Sequence, residues 1–360
     1  MSTGAAVAFV AVVAARFLLP LAIPYFPLPA VIGCLVLDGV DQTIFQAFGY
    51  DPPGYQSYDK AMDVYYLAIA YLSTLRNWTS EAAFRISRFL FFYRLAGALL
   101  FELTGMRWLL LVFPNVFEYF FIAYETVRSR WSPLTFLVSW WLSLAGVIWV
   151  VVKLPQEWWL HVAQLDVTDQ LAQHQWVIGL LVALAAGLAV LFQRVVRPRL
   201  RPADWDWRIK PEPLPEQIDE AHEREAWRVK YDAVWSRNTL EKVLLLGLIC
   251  AIFGEMLPDY TGSMSNLFAG VAVVVVLNTM TSLAIARRAW TIKTIAATFA
   301  ARLVLNIAFA TVANWILDNQ IDGWDTLFFL TMISLITTLH DRWRPIHEFR
   351  TREPAAGRLA

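Results

Sequence analysis

Residues 264–287 read MSNLFAGVAVVVVLNTMTSLAIAR, with no charged residue before the final arginine. About 20 apolar residues are enough for a helix to cross the hydrocarbon core of a bilayer. The rest of the chain has the same character, because 58% of its 360 residues are hydrophobic and 17% are charged. Soluble domains carry about 45–50% apolar and about 25% charged residues. The sequence therefore predicts an all-α, polytopic integral membrane helix bundle.

Further apolar stretches predict about 11 transmembrane helices in total. We place these segments at 5–24, 28–48, 61–77, 83–104, 107–127, 133–153, 175–196, 239–257, 264–287, 293–317 and 323–340. They form a seven-helix bundle over 1–196 and a four-helix bundle over 239–341, separated by a linker over 197–238 and followed by a polar tail over 342–360.

Basic residues predict the orientation of the chain, because Lys and Arg are enriched in short cytoplasmic loops. They cluster after alternate segments, at Arg76, Arg85, Arg88, Arg128, Arg130, Arg194, Arg197, Arg199, Arg201, Arg287, Arg288, Lys293, Arg342, Arg344, Arg350 and Arg352. With 11 segments every cluster falls on one side, and one segment more or fewer would break this pattern. We therefore expect a multi-pass protein of the bacterial cell (inner) membrane, with its N-terminus outside and its C-terminus in the cytoplasm.

The linker begins with a proline-rich stretch and then predicts an amphipathic helix over 216–236. Trp227, Tyr231 and Trp235 recur every four residues beside charged positions. Such a helix fits the membrane surface, or it packs on the cytoplasmic ends of the bundle. It also offers a docking site for a protein partner. Membrane lipids are the other expected partners, and the net charge of zero argues against nucleic acid.

Five carboxylates are expected to converge at the predicted outer face. Asp38 and Asp41 lie on the second segment, Asp51 lies in the loop that follows, and Asp59 and Asp63 lie one turn apart at the start of the third segment. One hypothesis makes Asp38, Asp41, Asp59 and Asp63 the catalytic groups of an enzyme acting on a lipid-linked pyrophosphate, with Asp59 and Asp63 as ligands of a divalent metal. The alternative is a solvated mouth. No cofactor is evident otherwise.

Asp38-Gly39, followed by Asp59 and Asp63, resembles the signature of the CDP-alcohol phosphotransferases. That signature reads Asp-x-x-Asp-Gly-x-x-Ala-Arg and then Gly-x-x-x-Asp-x-x-x-Asp. The chain departs from it at Leu35, Gln42, Thr43 and Tyr55. The family's site also faces the cytoplasm, whereas the predicted topology places these residues outside. The resemblance spans residues 38–63 and implies a phosphotransferase as one alternative.

A second polar group lies on segments 83–104 and 107–127. Its members are Arg94, Glu102, Asn115, Glu118 and Glu125. The turn at 104–106 is short, so these segments should be antiparallel neighbours, with Arg94 within reach of the Glu118–Glu125 face. Pro114 should interrupt the helix and free a carbonyl for a ligand. The group is either a substrate site or an ion pair that holds two helices together.

A third polar group lies on the last helices. Arg302 and Asn306 are four residues apart, Asn278 lies on the preceding segment, and Ser334 and Thr338 lie on the last one. Stripes on three helices predict a hydrated or ligand-filled interior, with Arg302 as the anion-binding group. The alternative pairs Arg302 with a carboxylate such as Glu118. We interpret Arg16, in the first segment, as structural, with Asp38 or Asp63 as its partner.

Recognisable catalytic motifs are absent from the sequence. It has no P-loop, no nucleophile elbow and no HExxH, and its five histidines lack metal-ligand spacing. We therefore expect a carrier or lipid-handling protein of the cell envelope that binds its substrate through Arg302, Asn306, Asn278, Glu118, Asn115, Arg94 and Glu102. The enzyme at the aspartates and a non-catalytic subunit or assembly factor of a membrane complex are the alternatives.

Overall fold

The computed structural model describes residues 2–50, 55–159, 201–256, 263–288, 292–317 and 323–352, with isolated positions between 176 and 198. The chain is 83% helical, and no strand occurs in this described part. The all-α fold predicted from the apolar segments is therefore confirmed. The predicted segment 175–196 falls almost entirely outside the described residues.

The first half consists of long helices joined by short turns. They are α1 (Thr3–Leu18), α2 (Pro27–Ala47), α3 (Tyr55–Asn77), α4 (Glu81–Thr104), α5 (Trp108–Val112), α6 (Val116–Arg128) and α7 (Val138–Val147). A 3₁₀ turn at Leu19–Ala22 extends α1. A π-helical turn at Ile148–Lys153 and an α-helical turn at Leu154–Glu157 extend α7 beyond the predicted end of its segment at 153.

The connection from α4 to α5 is as tight as the sequence predicts. Gly105 ends α4 with a φ of 67° and donates its N–H to the Phe101 carbonyl at 2.7 Å. This left-handed conformation strains residues that carry a Cβ. The predicted break near Pro114 is present, since α5 ends at Val112 and α6 begins at Val116. Phe113 lies so close to Gly97 that a Cβ there would overlap its ring.

The second half consists of α8 (Ala221–Tyr231), α9 (Arg237–Met256), α10 (Met264–Arg287), α11 (Ile295–Leu317) and α12 (Gly323–Arg352). α8 is shorter than the helix predicted over 216–236. α12 continues past the predicted boundary at 341 and contains Pro345. Trp343, Ile346 and Phe349 are buried, so residues 342–352 form the end of a packed helix and belong structurally to the bundle.

The two halves share one hydrophobic core. α9 packs against α3 and α4, and α12 packs against α3. Core residues therefore come from both sides of the linker, for example Tyr71 and Phe91 from the first half and Leu245 and Ile336 from the second. The linker reinforces this packing at one end of the bundle, where Trp205 donates to the Arg128 carbonyl at 3.1 Å.

Within the described part of the chain, six helical stretches are long and apolar enough to cross a membrane. They are Thr3–Ala22, Pro27–Ala47, Trp108–Arg128, Val138–Glu157, Met264–Arg287 and Ile295–Val312. Large apolar side chains on them are exposed, as at Leu18, Val151 and Val304, which suits contact with lipid. The six helices indicate a membrane-embedded protein. The count of about 11 stays a prediction, because α3, α4, α9 and α12 are not among the six and the segment 175–196 lies outside the described residues.

Candidate functional site

Asp341 is the centre of a buried charge cluster in the second half, which we call the Asp341 cluster. Its Oδ1 lies 2.9 Å from the Lys242 ammonium, and its Oδ2 lies 2.9 Å from Arg302 Nη2 and 3.3 Å from Arg228 Nη2. All four side chains are buried. The cations come from α9, α11 and α8, so a carboxylate on α12 joins four helices.

The guanidinium group of Arg302 also donates hydrogen bonds to neighbouring hydroxyls. Nη2 donates to Ser282 at 2.7 Å, and Nη1 donates to Thr338 at 3.3 Å. Sequence reasoning placed Arg302 and Thr338 in facing polar stripes, and they do meet. The alternative that paired Arg302 with a carboxylate is also confirmed, but the carboxylate is Asp341 and not Glu118.

The polar contacts continue into the apolar interior. Asn278 Nδ2 donates to Asn306 Oδ1 at 2.6 Å, and Asn306 Nδ2 donates to Ser334 at 2.9 Å. These three residues are at most 1% exposed, and Asn278 Oδ1 accepts no hydrogen bond. Asn278, Arg302 and Asn306, all predicted as substrate-binding residues, therefore lie in one connected region between α10, α11 and α12.

A cavity of about 80 Å³ opens beside the Asp341 cluster. Its lining includes Arg224 and Arg228 of α8, which is therefore one of its walls. The remainder of α8 packs on α12, where the Trp227 and Phe349 ring centroids are 5.3 Å apart. Of the two interpretations of this helix, at the membrane surface or packed on the end of the bundle, these contacts agree with the second. Its arginine face turns inward, and Trp235 lies beyond its end and is 85% exposed.

Four of the five aspartates expected to converge in the first half do so, around Arg16, and Asp51 lies outside the described residues. The Arg16 guanidinium bonds to Asp38 and Asp41, lies 2.8 Å from Asp59 and lies 3.4 Å from Asp63. We call this group the Arg16 cluster. Sequence analysis expected Arg16 to have one aspartate partner, whereas it has four. Asp41 is fully buried and also accepts the Tyr55 hydroxyl.

The Arg16 cluster has the donor set of a divalent-cation site. Oxygens of Asp38, Asp59 and Asp63 lie within 4.8 Å of one another, and carboxylate oxygens are what Mg²⁺ and Ca²⁺ prefer. Arg16 already supplies a positive charge to the same oxygens. A metal ion would therefore have to displace Arg16 or share the oxygens with it.

The second predicted group separates into several contacts. Arg94 Nη1 donates to the Phe113 carbonyl at 3.1 Å, and among the described residues it forms no ion pair with Glu118 or Glu125. The break before α6 thus frees a backbone carbonyl from the helix, as we expected. That carbonyl accepts a hydrogen bond from Arg94 and not from a ligand. Glu125 pairs with Arg128 at 2.7 Å, and Glu102 pairs with Lys60 at 3.6 Å.

Glu118 belongs to a separate buried group. It accepts hydrogen bonds from Tyr66 and, at 3.1 Å, from Asn115 Nδ2, and it lies 3.8 Å from the Lys153 ammonium. Lys153 lies in the π-helical turn after α7 and is 3% exposed. Such turns are frequent at functional sites. Sequence reasoning missed Lys153, although a lysine at the end of an apolar run was a usable signal.

Lys242 and Glu241 were also missed. Both lie one turn inside an apolar segment, which was the available signal. Glu241 accepts the Tyr71 hydroxyl at 2.5 Å and pairs with Arg344 at 3.2 Å. These contacts connect α9 to both α3 and α12 and give Glu241 a role in joining the two halves.

Comparison with other proteins adds no family assignment. No family model matches the chain, and no curated protein or solved structure is significantly similar to it. The function is therefore argued from the chemistry of the Asp341 and Arg16 clusters.

Proposed function

We propose that the protein is a carrier or lipid-handling protein of the cell envelope, with its binding region between α10, α11 and α12. The observation that carries this proposal is the buried polar file from Arg302 through Asn306 to Asn278. Ionisable and polar groups at membrane depth are costly, and they commonly mark substrate pathways. This file also ends next to a cavity, at the Asp341 cluster.

The side chains of the polar file can bind a ligand as well as hold the three helices together. Each of the helices α10, α11 and α12 contributes at least one polar group, so a change in helix spacing would alter all the contacts together. Asn278 Oδ1 is a buried acceptor without a donor, and such a group is stabilised when a ligand or water supplies one. The Arg16 cluster supports an enzyme less well, because Arg16 already neutralises part of its charge.

The carrier proposal predicts selective lipid binding. The protein would be extracted gently from its native membrane, and everything bound to it identified by mass spectrometry. We expect one lipid class to be enriched over the bulk membrane. Arg302→Lys should reduce this enrichment about tenfold, because the charge opposite Asp341 remains while the fork is lost. Arg85→Lys, an identical change in an exposed ion pair with Glu81, is the control.

The same measurement separates the alternatives. Bound lipids that mirror the bulk membrane in the wild type would contradict the proposal. A stoichiometric protein partner would favour the role of a complex subunit instead, with the segment 216–236, where Trp235 is 85% exposed, as its proposed docking site. Monodispersity in size-exclusion chromatography establishes that Arg302→Lys is folded.

We also propose the topology of about 11 spans in the inner membrane, with the N-terminus outside and the C-terminus cytoplasmic. Its support is the uninterrupted alternation of basic and acidic loops. A membrane-impermeant maleimide added to intact cells should label Ser263→Cys and label Gln217→Cys only after permeabilisation. The native Cys34 and Cys250 are buried and give little background. The opposite labelling pattern would reverse the orientation.

A further inference from the structure

The cavity beside the Asp341 cluster has an excess of positive charge. Arg224, Arg228, Arg302 and Arg342 line it, and the acidic residues of its lining are Asp341 and Glu225. The lining therefore carries four cations and two anions. Lys242 adds a further cation on the far side of Asp341, at 2.9 Å. An excess of buried cations is costly unless an anion balances it.

Two buried guanidinium donors in this lining have no acceptor. Arg224 Nε makes no hydrogen bond, although Nη1 of the same side chain donates to the Ile218 and Asp219 carbonyls. Arg228 Nη2 lies 3.3 Å from Asp341 Oδ2 without the geometry of a hydrogen bond. These residues are 5% and 8% exposed. Buried polar groups normally have partners, so both donors point to a ligand that accepts hydrogen bonds.

The electrostatics of Arg224 agree with this interpretation. Burial, together with the like charge of Arg342, lowers the pKa of the Arg224 guanidinium to about 10. The charged form is therefore less stable here than in water, although it still predominates at neutral pH. A bound anion would restore the stabilisation that water provides elsewhere.

The volume of the cavity limits the size of the ligand group. About 80 Å³ is two to three times the roughly 30 Å³ that one water molecule occupies in the liquid. The cavity therefore suits a small group on the scale of a phosphate. Several arginine forks around a small space suit its tetrahedral oxygens, because guanidinium groups bind phosphate in a bidentate manner.

We infer that the cavity formed by Arg224, Arg228, Arg302 and Arg342 binds a phosphate group, either free phosphate or the head group of a phosphomonoester lipid. This inference rests on the proposed function and names the chemical class of the ligand. The site lies between α8 and the Asp341 cluster, so α8 supplies two of the four arginines. Asp341 holds Arg228 and Arg302 beside the ligand.

The test measures phosphate binding by the full-length protein in detergent, by calorimetric titration with inorganic phosphate. Arg224→Gln and Arg228→Gln should each weaken binding about tenfold, because each removes a charge-assisted hydrogen bond. Glu225→Gln should tighten binding, because it removes an anion from the lining. A folding defect does not produce a tighter complex, so this variant separates binding from stability. Arg85→Gln is the matched exposed control.

A second arm distinguishes the two sources of phosphate. Native mass spectrometry would compare phosphatidic acid with diacylglycerol, which has the same tails without the phosphate. Selective binding of phosphatidic acid, weakened by Arg224→Gln, identifies a lipid head group, whereas binding of inorganic phosphate alone identifies free phosphate. Binding of neither ligand overturns the inference, as do equal losses in Arg224→Gln and Arg85→Gln.

The two proposals can fail separately. If the native protein enriches a lipid that lacks phosphate and inorganic phosphate does not bind, the carrier proposal stands and the phosphate site is overturned. If phosphate binds as expected but the native protein enriches no lipid, the phosphate site stands and the lipid-handling proposal fails.

Discussion

Replacing Arg16 by methionine is expected to lower the apparent free energy of unfolding by about 3–5 kcal/mol, the usual effect of removing one partner from a buried ion cluster. The Arg16 side chain is 4% exposed, and four carboxylates face it. Methionine fills a similar volume but leaves those carboxylates to repel one another. The measurement is denaturant-induced unfolding in detergent, followed by tryptophan fluorescence.

The control for this prediction is Arg85→Met. The Arg85 side chain is 71% exposed in its pair with Glu81, so we expect a change within about 0.5 kcal/mol. Millimolar Mg²⁺ or Ca²⁺ should partly restore Arg16→Met and leave the wild type unchanged, because a metal ion can take the position of the lost guanidinium. If divalent metal stabilises the wild type equally, the metal hypothesis for the aspartates is favoured. Equal stabilities of Arg16→Met and Arg85→Met would contradict a structural role for Arg16.

Asp341→Asn is the second substitution with a large expected effect. It keeps the shape of the side chain and leaves Lys242, Arg228 and Arg302 without their shared counter-ion. We expect a loss of about 3–5 kcal/mol in the apparent free energy of unfolding. The same fluorescence-monitored unfolding experiment measures it, with Asp206→Asn, at an exposed position, as the matched control.

A double variant tests the cause of that loss. Lys242 is 1% exposed, and Lys242→Met removes the most deeply buried of the three cations. In the Asp341→Asn background this second change should recover about 1–3 kcal/mol, because it removes an uncompensated charge. Strictly additive losses would mean that the two side chains do not interact, and they would contradict the arrangement of the Asp341 cluster.

The sequence predicts those features that depend on local spacing. Apolar runs of sufficient length form helices because the backbone must satisfy its own hydrogen bonds in lipid. Pro114 interrupts its helix as expected, since proline lacks an N–H and clashes with the preceding turn. Arg302 and Asn306 share a face because they are four residues apart. Asn278 belongs to the polar stripe of the preceding segment, so the sequence predicts that these three residues lie together.

The partners of these residues depend on helix rotation and tilt, which local spacing does not determine. Arg302 faces Asp341 on the next helix, whereas Glu118 turns toward Lys153. The end of α12 is a similar case. Residues 342–352 have the polar composition of a tail, yet α3 and α8 supply the surfaces that bury them. The membrane-facing helices stand out in the sequence, and the buried charges that join the two halves do not.

The order of the helices along the chain has a consequence for how the protein is made. Asp341, Arg344 and Arg350 lie on α12, which follows α3 and α9, and their partners include Glu241 and the Arg76 carbonyl at the end of α3. During synthesis α3 and α9 therefore emerge well before the side chains that complete their contacts. Nascent chains that stop short of residue 341 would expose unpaired charges, including Lys242, to the membrane. Quality-control proteases could use these charges to recognise truncated products.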